Sequence, residues 1–189
     1  MFLHIMLLII WILIAIVVLL VIIFAGYYNR FTVLSNRIEN SLGQIDVQLK
    51  RRADLIPNLV ETVKGFAKHE KAAITAVTDA RKALVSAKDL SGKIKADKGL
   101  ESALGRLFAI AEGYPDLKAN TNFLELQREL TSTEDKVAYS RQFYNDSILS
   151  YNNKCKTFPG NMFAGMFGFK PKEYIQIAEA ERKPVKVEF

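Results

Sequence analysis

The chain has 189 residues, half of them apolar, and 26 Lys and Arg against 20 Asp and Glu leave a net charge of +6. At about 100–200 residues per domain, this length holds one globular domain at most. A single cysteine, Cys155, excludes an internal disulfide framework and a multi-Cys zinc site, and two histidines leave little for metal or acid–base work.

The apolar excess is concentrated at the start. Residues Ile5 to Ala25 are 21 consecutive apolar side chains, 17 of them Leu, Ile, Val or Phe. As a helix this run spans about 31 Å, close to the ~30 Å of a bilayer core. A cleaved signal peptide fits less well, because it needs a basic leader, a shorter apolar core and a small-residue cleavage site. Residues 1–28 therefore read as a transmembrane anchor, with Tyr27 and Tyr28 at its exit. No Lys or Arg precedes the run, whereas Arg30 and Arg37 follow it. The positive-inside rule then predicts an outside N-terminus and a cytoplasmic domain.

Beyond the anchor, apolar residues recur at helical spacing. Leu34, Ile38, Leu42, Ile45 and Leu49 trace one stripe of an amphipathic helix. Ile56, Val60, Val63, Ala67, Ile74, Val77 and Leu84 form a second run. Leu100, Leu104, Leu107, Ala111 and Tyr114 form a third, and Phe123, Leu126, Leu130, Val137, Tyr144, Ile148, Tyr151 and Phe158 a fourth. The predicted fold is all-α, an antiparallel four-helix-like bundle over residues 29–160 behind the anchor. Pro57 leaves two alternatives, one long kinked helix or a turn, and the turn is slightly favoured, with Asp54 capping the new helix. Ser91-Gly92 among Lys88, Lys93, Lys95 and Lys98 reads as a solvated loop. Gly113-Tyr114-Pro115-Asp116 ends the third helix, and Asn120 or Thr121 can cap the fourth. Residues 161–189 form a tail of different character. Met162, Phe163, Met166, Phe167 and Phe169 alternate with glycines, and Val185, Val187 and Phe189 end it as a short extended piece.

Several segments together resemble the LemA family. They are Arg51-Arg52-Ala53-Asp54-Leu55-Ile56-Pro57-Asn58-Leu59-Val60, His69-Glu70, Tyr114-Pro115-Asp116-Leu117-Lys118-Ala119-Asn120 and Phe123-Leu124-Glu125-Leu126-Gln127-Arg128-Glu129-Leu130. Arg141, Tyr144-Asn145, Tyr151-Asn152 and Phe158-Pro159 complete the set. The resemblance implies a bacterial membrane protein with one N-terminal helix and a helical domain. It implies no reaction, and tilts the expectation towards membrane organisation.

The chemistry-bearing residues point the same way. His69-Glu70 lacks the second His of a zinc-protease helix, and a di-iron bundle needs two Glu-x-x-His motifs. A cysteine nucleophile needs a nearby base and a low pKa. Cys155 lies between Lys154 and Lys156, which could lower its pKa, but on a helix this reads as an ordinary surface pattern. No cofactor or metal is expected. Arg51, Arg52 and Asp54 beside Pro57 are the densest charged motif, with the arginines paired to carboxylates such as Glu61 or Asp46, or offered to a partner carboxylate or lipid phosphate. Tyr144-Asn145 and Tyr151-Asn152 lie one heptad apart and share a helix face. Arg30 and Arg37 are membrane-proximal cations, and Met162, Phe163, Met166, Phe167 and Phe169 are candidate oligomer contacts. The basic residues are scattered among the acids, so nucleic acid is not expected as a partner, and an anionic leaflet fits better. The expected function is a non-enzymatic, self-associating scaffold of the bacterial inner membrane. The alternative is a tethered sensor or adaptor that binds a peptide, lipid or small ligand between its helices.

Overall fold

The structure is a computed structural model that describes residues 2–175. Its elements are α1 (Phe2–Phe66), α2 (Lys71–Ser86), α3 (Leu90–Ala111), α4 (Pro115–Lys118), α5 (Thr121–Lys156) and α6 (Gly160–Phe167). The fold is all-α, and among the described residues no strand occurs. The extended piece expected at Val185, Val187 and Phe189 lies outside the described residues.

Helix α1 corrects the expectation at Pro57. It runs unbroken through the proline, so the turn and the Asp54 cap are both absent. A proline inside a helix has no N–H to bond the carbonyl four residues back, and its ring crowds that carbonyl. Here the carbonyl belongs to Ala53, and Arg81 Nε on α2 donates to it at 2.8 Å. The helix passes Pro57 because α2 supplies the donor that the proline lacks.

A second correction concerns Ser91-Gly92, which lies in the first turn of α3 rather than in a loop. Asp89 is the N-cap, its carboxylate accepting from the Gly92 N–H at 3.1 Å. That bond satisfies one of the orphan donors of a helix start, which outweighs the local turn signal. Asn120 does cap α5, accepting from the Phe123 N–H at 3.0 Å. Helix α6 ends at Gly168, whose φ of 75° lies in the left-handed region that favours glycine. At Gly160 a Cβ would collide with the Lys154 carbonyl, so only glycine lets α6 start so close to the end of α5.

The chain forms two compact units, Met1–Ser41 with Phe143–Phe189 and Leu42–Gln142. In the second, α2, α3 and the included parts of α1 and α5 pack as an antiparallel four-helix bundle, with short links except between α3 and α5, where α4 lies. Ile45, Ile56, Val63, Val77, Leu100, Leu107 and Leu130 are buried there at the predicted stripe positions. Each such side chain contributes about 1.5–3 kcal/mol on burial. In the first unit, Phe31, Leu34 and Ile38 of α1 pack with Ile148, Tyr151 and Cys155 of α5 and Ala164 of α6. The start of α1 is long and apolar enough to cross a bilayer, and its side chains from Phe2 to Ile23 are exposed.

Candidate functional site

The most unusual polar group is Arg52, which is 1% exposed on α1 in the second unit. Its Nη1 donates to Asp97 Oδ1 on α3 at 2.9 Å and its Nη2 to Glu134 Oε2 on α5 at 3.0 Å. One guanidinium thus fastens three helices. The planar fork of Arg suits this double contact, which Lys would not reproduce. Asp97 is buried with it, and the pKa of Asp97 is raised by that burial, against the opposing pull of Arg52. Glu134 is likewise raised, first by burial and then by repulsion from Glu101 and Asp97. Burial outweighs the attraction of Arg52, and for Asp97 that of Arg141 as well. Arg52 Nε also has no hydrogen-bond partner among the described residues.

The neighbours of Arg52 in the motif each face a different element. Arg51 donates to Glu129 on α5 at 2.7 Å, and Ala53 offers its carbonyl to Arg81. Asp54 faces solvent and pairs with Lys50 at 2.9 Å, an i,i+4 surface pair worth about 0.2–0.5 kcal/mol. The expected arginine partners are engaged elsewhere: Glu61 pairs with Lys64 and Asp46 with Lys93. The segment from Arg51 to Pro57 therefore acts on α2, α3 and α5 at once.

Beside it lies a half-open cleft of about 350 Å³, lined among others by Asp46, Leu49, Ala53, Arg81, Leu84 and Lys93. His69 is exposed, while Glu70 accepts from the Tyr114 hydroxyl at 2.8 Å; this bond is the main reason the Tyr114 pKa is raised. Among the described residues, no group of three or more His, Cys, Asp or Glu side chains is arranged to hold a metal ion.

In the first unit, the two asparagines of the heptad pair do the same job. Asn152 donates from Nδ2 to the Lys172 carbonyl and accepts the Lys172 N–H at Oδ1, both at 2.8 Å. Asn145 treats Ile175 identically, at 3.2 and 2.9 Å. Seven helical residues rise about 10.5 Å, and three extended residues cover about 10 Å, so the two spacings match. The pair clamps an extended backbone without reading its side chains. Tyr151 is buried with its ring edge-on to Phe31, and its pKa is pushed up to about 12, mainly by burial. Tyr144 is half-buried against the same core, and its pKa is raised by burial. Cys155 corrects the surface reading: it is buried, which raises the thiol pKa, and the hydrogen bond with Tyr151 opposes that rise.

The membrane-proximal Arg30 and Arg37 are both exposed, and Arg37 also stacks over the Phe143 ring at 4.9 Å. Phe163, Phe167 and Phe169 pack on their own α1: Phe163 stacks on Tyr27 at 4.2 Å and Phe169 on Phe31 at 4.8 Å, while Phe167 meets Phe24 edge-on at 6.0 Å. Met162 and Met166 remain exposed.

Sequence reasoning missed Asp97, Glu134, Glu129 and Arg81. Asp97 did carry a signal, because it stands three residues before Leu100 on the stripe that continues to Leu104 and Leu107. A carboxylate at a core position calls for a buried cation.

A family model described as LemA family matches residues 41–189. The chain belongs to the LemA family. Among similar proteins, magnetosome protein MamQ 2 of Paramagnetospirillum magneticum is 28% identical, over 84% of this chain and 68% of its own. MamQ of Magnetospirillum gryphiswaldense matches at the same identity and shares. Protein LemA of Metamycoplasma hominis is 26% identical, over 86% of this chain and 75% of its own. These relatives and the apolar start of α1 agree on a membrane-associated helical protein.

Proposed function

We propose that the protein is a non-enzymatic scaffold of the bacterial inner membrane, held by one span and associating with further copies of itself. The observation that carries this reading is that the densest charged motif is spent on internal fastening. Arg52 binds α3 and α5, Arg51 binds α5, and the Cys155 thiol is buried with a raised pKa. What stays outside the span is interaction surface, including Met162 and Met166 on α6. Tethering to a plane raises effective concentration, so weak lateral contacts suffice for assembly. Arg30 and Arg37 after an uncharged leader support a cytoplasmic domain.

Mass photometry of the full-length chain, in mild detergent and in nanodiscs, tests the scaffold. A homo-oligomer is expected, and a monomer across micromolar concentrations would contradict it. A tag after Phe189 should resist protease added to intact spheroplasts; its digestion would reverse the orientation.

One observation favours a second reading, a tethered adaptor. The cleft beside Arg81 is at the small end of ligand sites, which run about 300–1,000 Å³. Its charges are largely paired internally, Asp46 with Lys93 and Lys50 with Asp54, so the scaffold remains preferred.

A further inference from the structure

Where α1 leaves its apolar run, Ile23, Gly26, Tyr27 and Arg30 follow one another at helical spacing and form one stripe. Lys154 of α5 reaches this stripe, its Nζ 4.2 Å from the centre of the Tyr27 ring. Together the five residues line a shallow groove of about 410 Å³. Its floor is apolar at Ile23, and bare at Gly26, where a Cβ would meet nothing within 4 Å. Two cations rim it and, among the described residues, no carboxylate lines it.

The height of these residues is set by the span. Ile23 lies within the run that ends at Ala25, and Arg30 is five residues further on, about 7.5 Å along the helix. That difference carries Arg30 from the hydrocarbon edge into the headgroup layer, which is about 5–7 Å thick on each side. An apolar floor at hydrocarbon depth below two cations at phosphate depth is complementary to one kind of molecule. A groove on the other side of the same turns, lined by Val17, Leu20, Val21, Phe24, Tyr28 and Phe167 among others, holds no cation among the described residues. It can take an acyl chain but has nothing to choose a headgroup.

We propose that the groove of Ile23, Gly26, Tyr27, Arg30 and Lys154 binds one anionic phospholipid, with its phosphate between Arg30 and Lys154 and the start of an acyl chain along Ile23 and Gly26. Guanidinium and ammonium groups both bind phosphate oxygens by charge-assisted hydrogen bonds. Basic pockets beside membrane helices on the cytoplasmic side recognise anionic headgroups in this way. The proposal rests on the membrane-spanning reading of α1, but not on self-association or on orientation, because a nanodisc offers the same lipids to both faces.

The test is native mass spectrometry of the full-length chain released from nanodiscs of equal phosphatidylglycerol and phosphatidylcholine. One phosphatidylglycerol per chain should be retained, about tenfold over phosphatidylcholine, as expected for differential binding worth a factor of ten. Arg30→Gln and Lys154→Gln should each cut that preference several-fold, and Lys154→Arg should keep it. Arg37→Gln removes the same charge above the groove and should leave it unchanged, with circular dichroism confirming helix content in every variant. Equal retention of the two lipids would overturn the proposal. So would a loss on Arg37→Gln as large as on Arg30→Gln, which would reduce the effect to general surface charge.

Discussion

The two units hold themselves together by different means. The second fastens α1 to its neighbours with ion pairs, Arg52 to Asp97 and Glu134, Arg51 to Glu129 and Lys93 to Asp46. The first uses stacked and edge-on rings, cations over rings and the two asparagines that hold Lys172 and Ile175. Its described residues include six Lys and Arg but only Glu39, Asp146 and Glu173 as acids. In the second unit the buried charge of Arg52 must find its partners within the fold.

The contrast breaks most visibly at Arg52. In the full-length chain in detergent, Arg52→Ala should cost about 3–5 kcal/mol on chemical denaturation, because Asp97 is left buried without its cation. A loss below about 1 kcal/mol, the worth of an exposed pair, would place the fastening elsewhere. Next in size is the bridge across Pro57. Arg81→Met should cost about 1–3 kcal/mol by leaving the Ala53 carbonyl unpaired. In a Pro57→Ala background the restored N–H takes that carbonyl, so the same change should cost measurably less. Equal costs in both backgrounds would show that Arg81 is not replacing the missing donor.

The first unit is probed by Asn145→Ala with Asn152→Ala. Each removes two bonds of about 0.5–1.5 kcal/mol, and the Lys172 and Ile175 amides should lose hydrogen-exchange protection while those of α3 keep theirs. Loss of protection in α3 would erase the distinction between the units. The smallest effect is a pH slope. Burial raises the Asp97 pKa above its ordinary 3.8, so in the window between the two the folded chain holds a proton that the unfolded chain releases. Stability should therefore fall as pH rises through that window. Denaturation across a pH series should show a shallower fall in Asp97→Asn, and an unchanged fall would assign the slope to other groups.

Much of the fold was legible because apolar spacing is a local signal. The stripe from Leu34 to Leu49 and the Asn120 cap needed nothing beyond neighbouring residues. Pro57 misled because its compensation is remote: Arg81 is 28 positions away, and no local rule connects them. Asp54 misled in turn, since its role as a cap presumed the break. The shared face of Asn145 and Asn152 was readable from the heptad, but what it holds is backbone, which leaves no mark on the sequence it binds. For Arg52 the pairing was expected and the partner was wrong, since opposite charges attract over many candidates and only packing selects Asp97.

The central claim is that the Arg51–Pro57 segment is an internal fastening rather than a place where something else binds. A double-mutant cycle between Arg52 and Asp97 tests it most directly, using Arg52→Met, Asp97→Leu and the pair together in the full-length chain. Each single change strips the buried partner of its closest counter-charge, leaving Asp97 only the pull of Arg141 or Arg52 only the half-exposed Glu134, whereas the pair leaves apolar side chains, with Glu134 free to turn to solvent. The double variant should regain most of the stability lost by Arg52→Met, giving a coupling of about 2–3 kcal/mol. Additivity of the two single losses to within about 0.5 kcal/mol would contradict it.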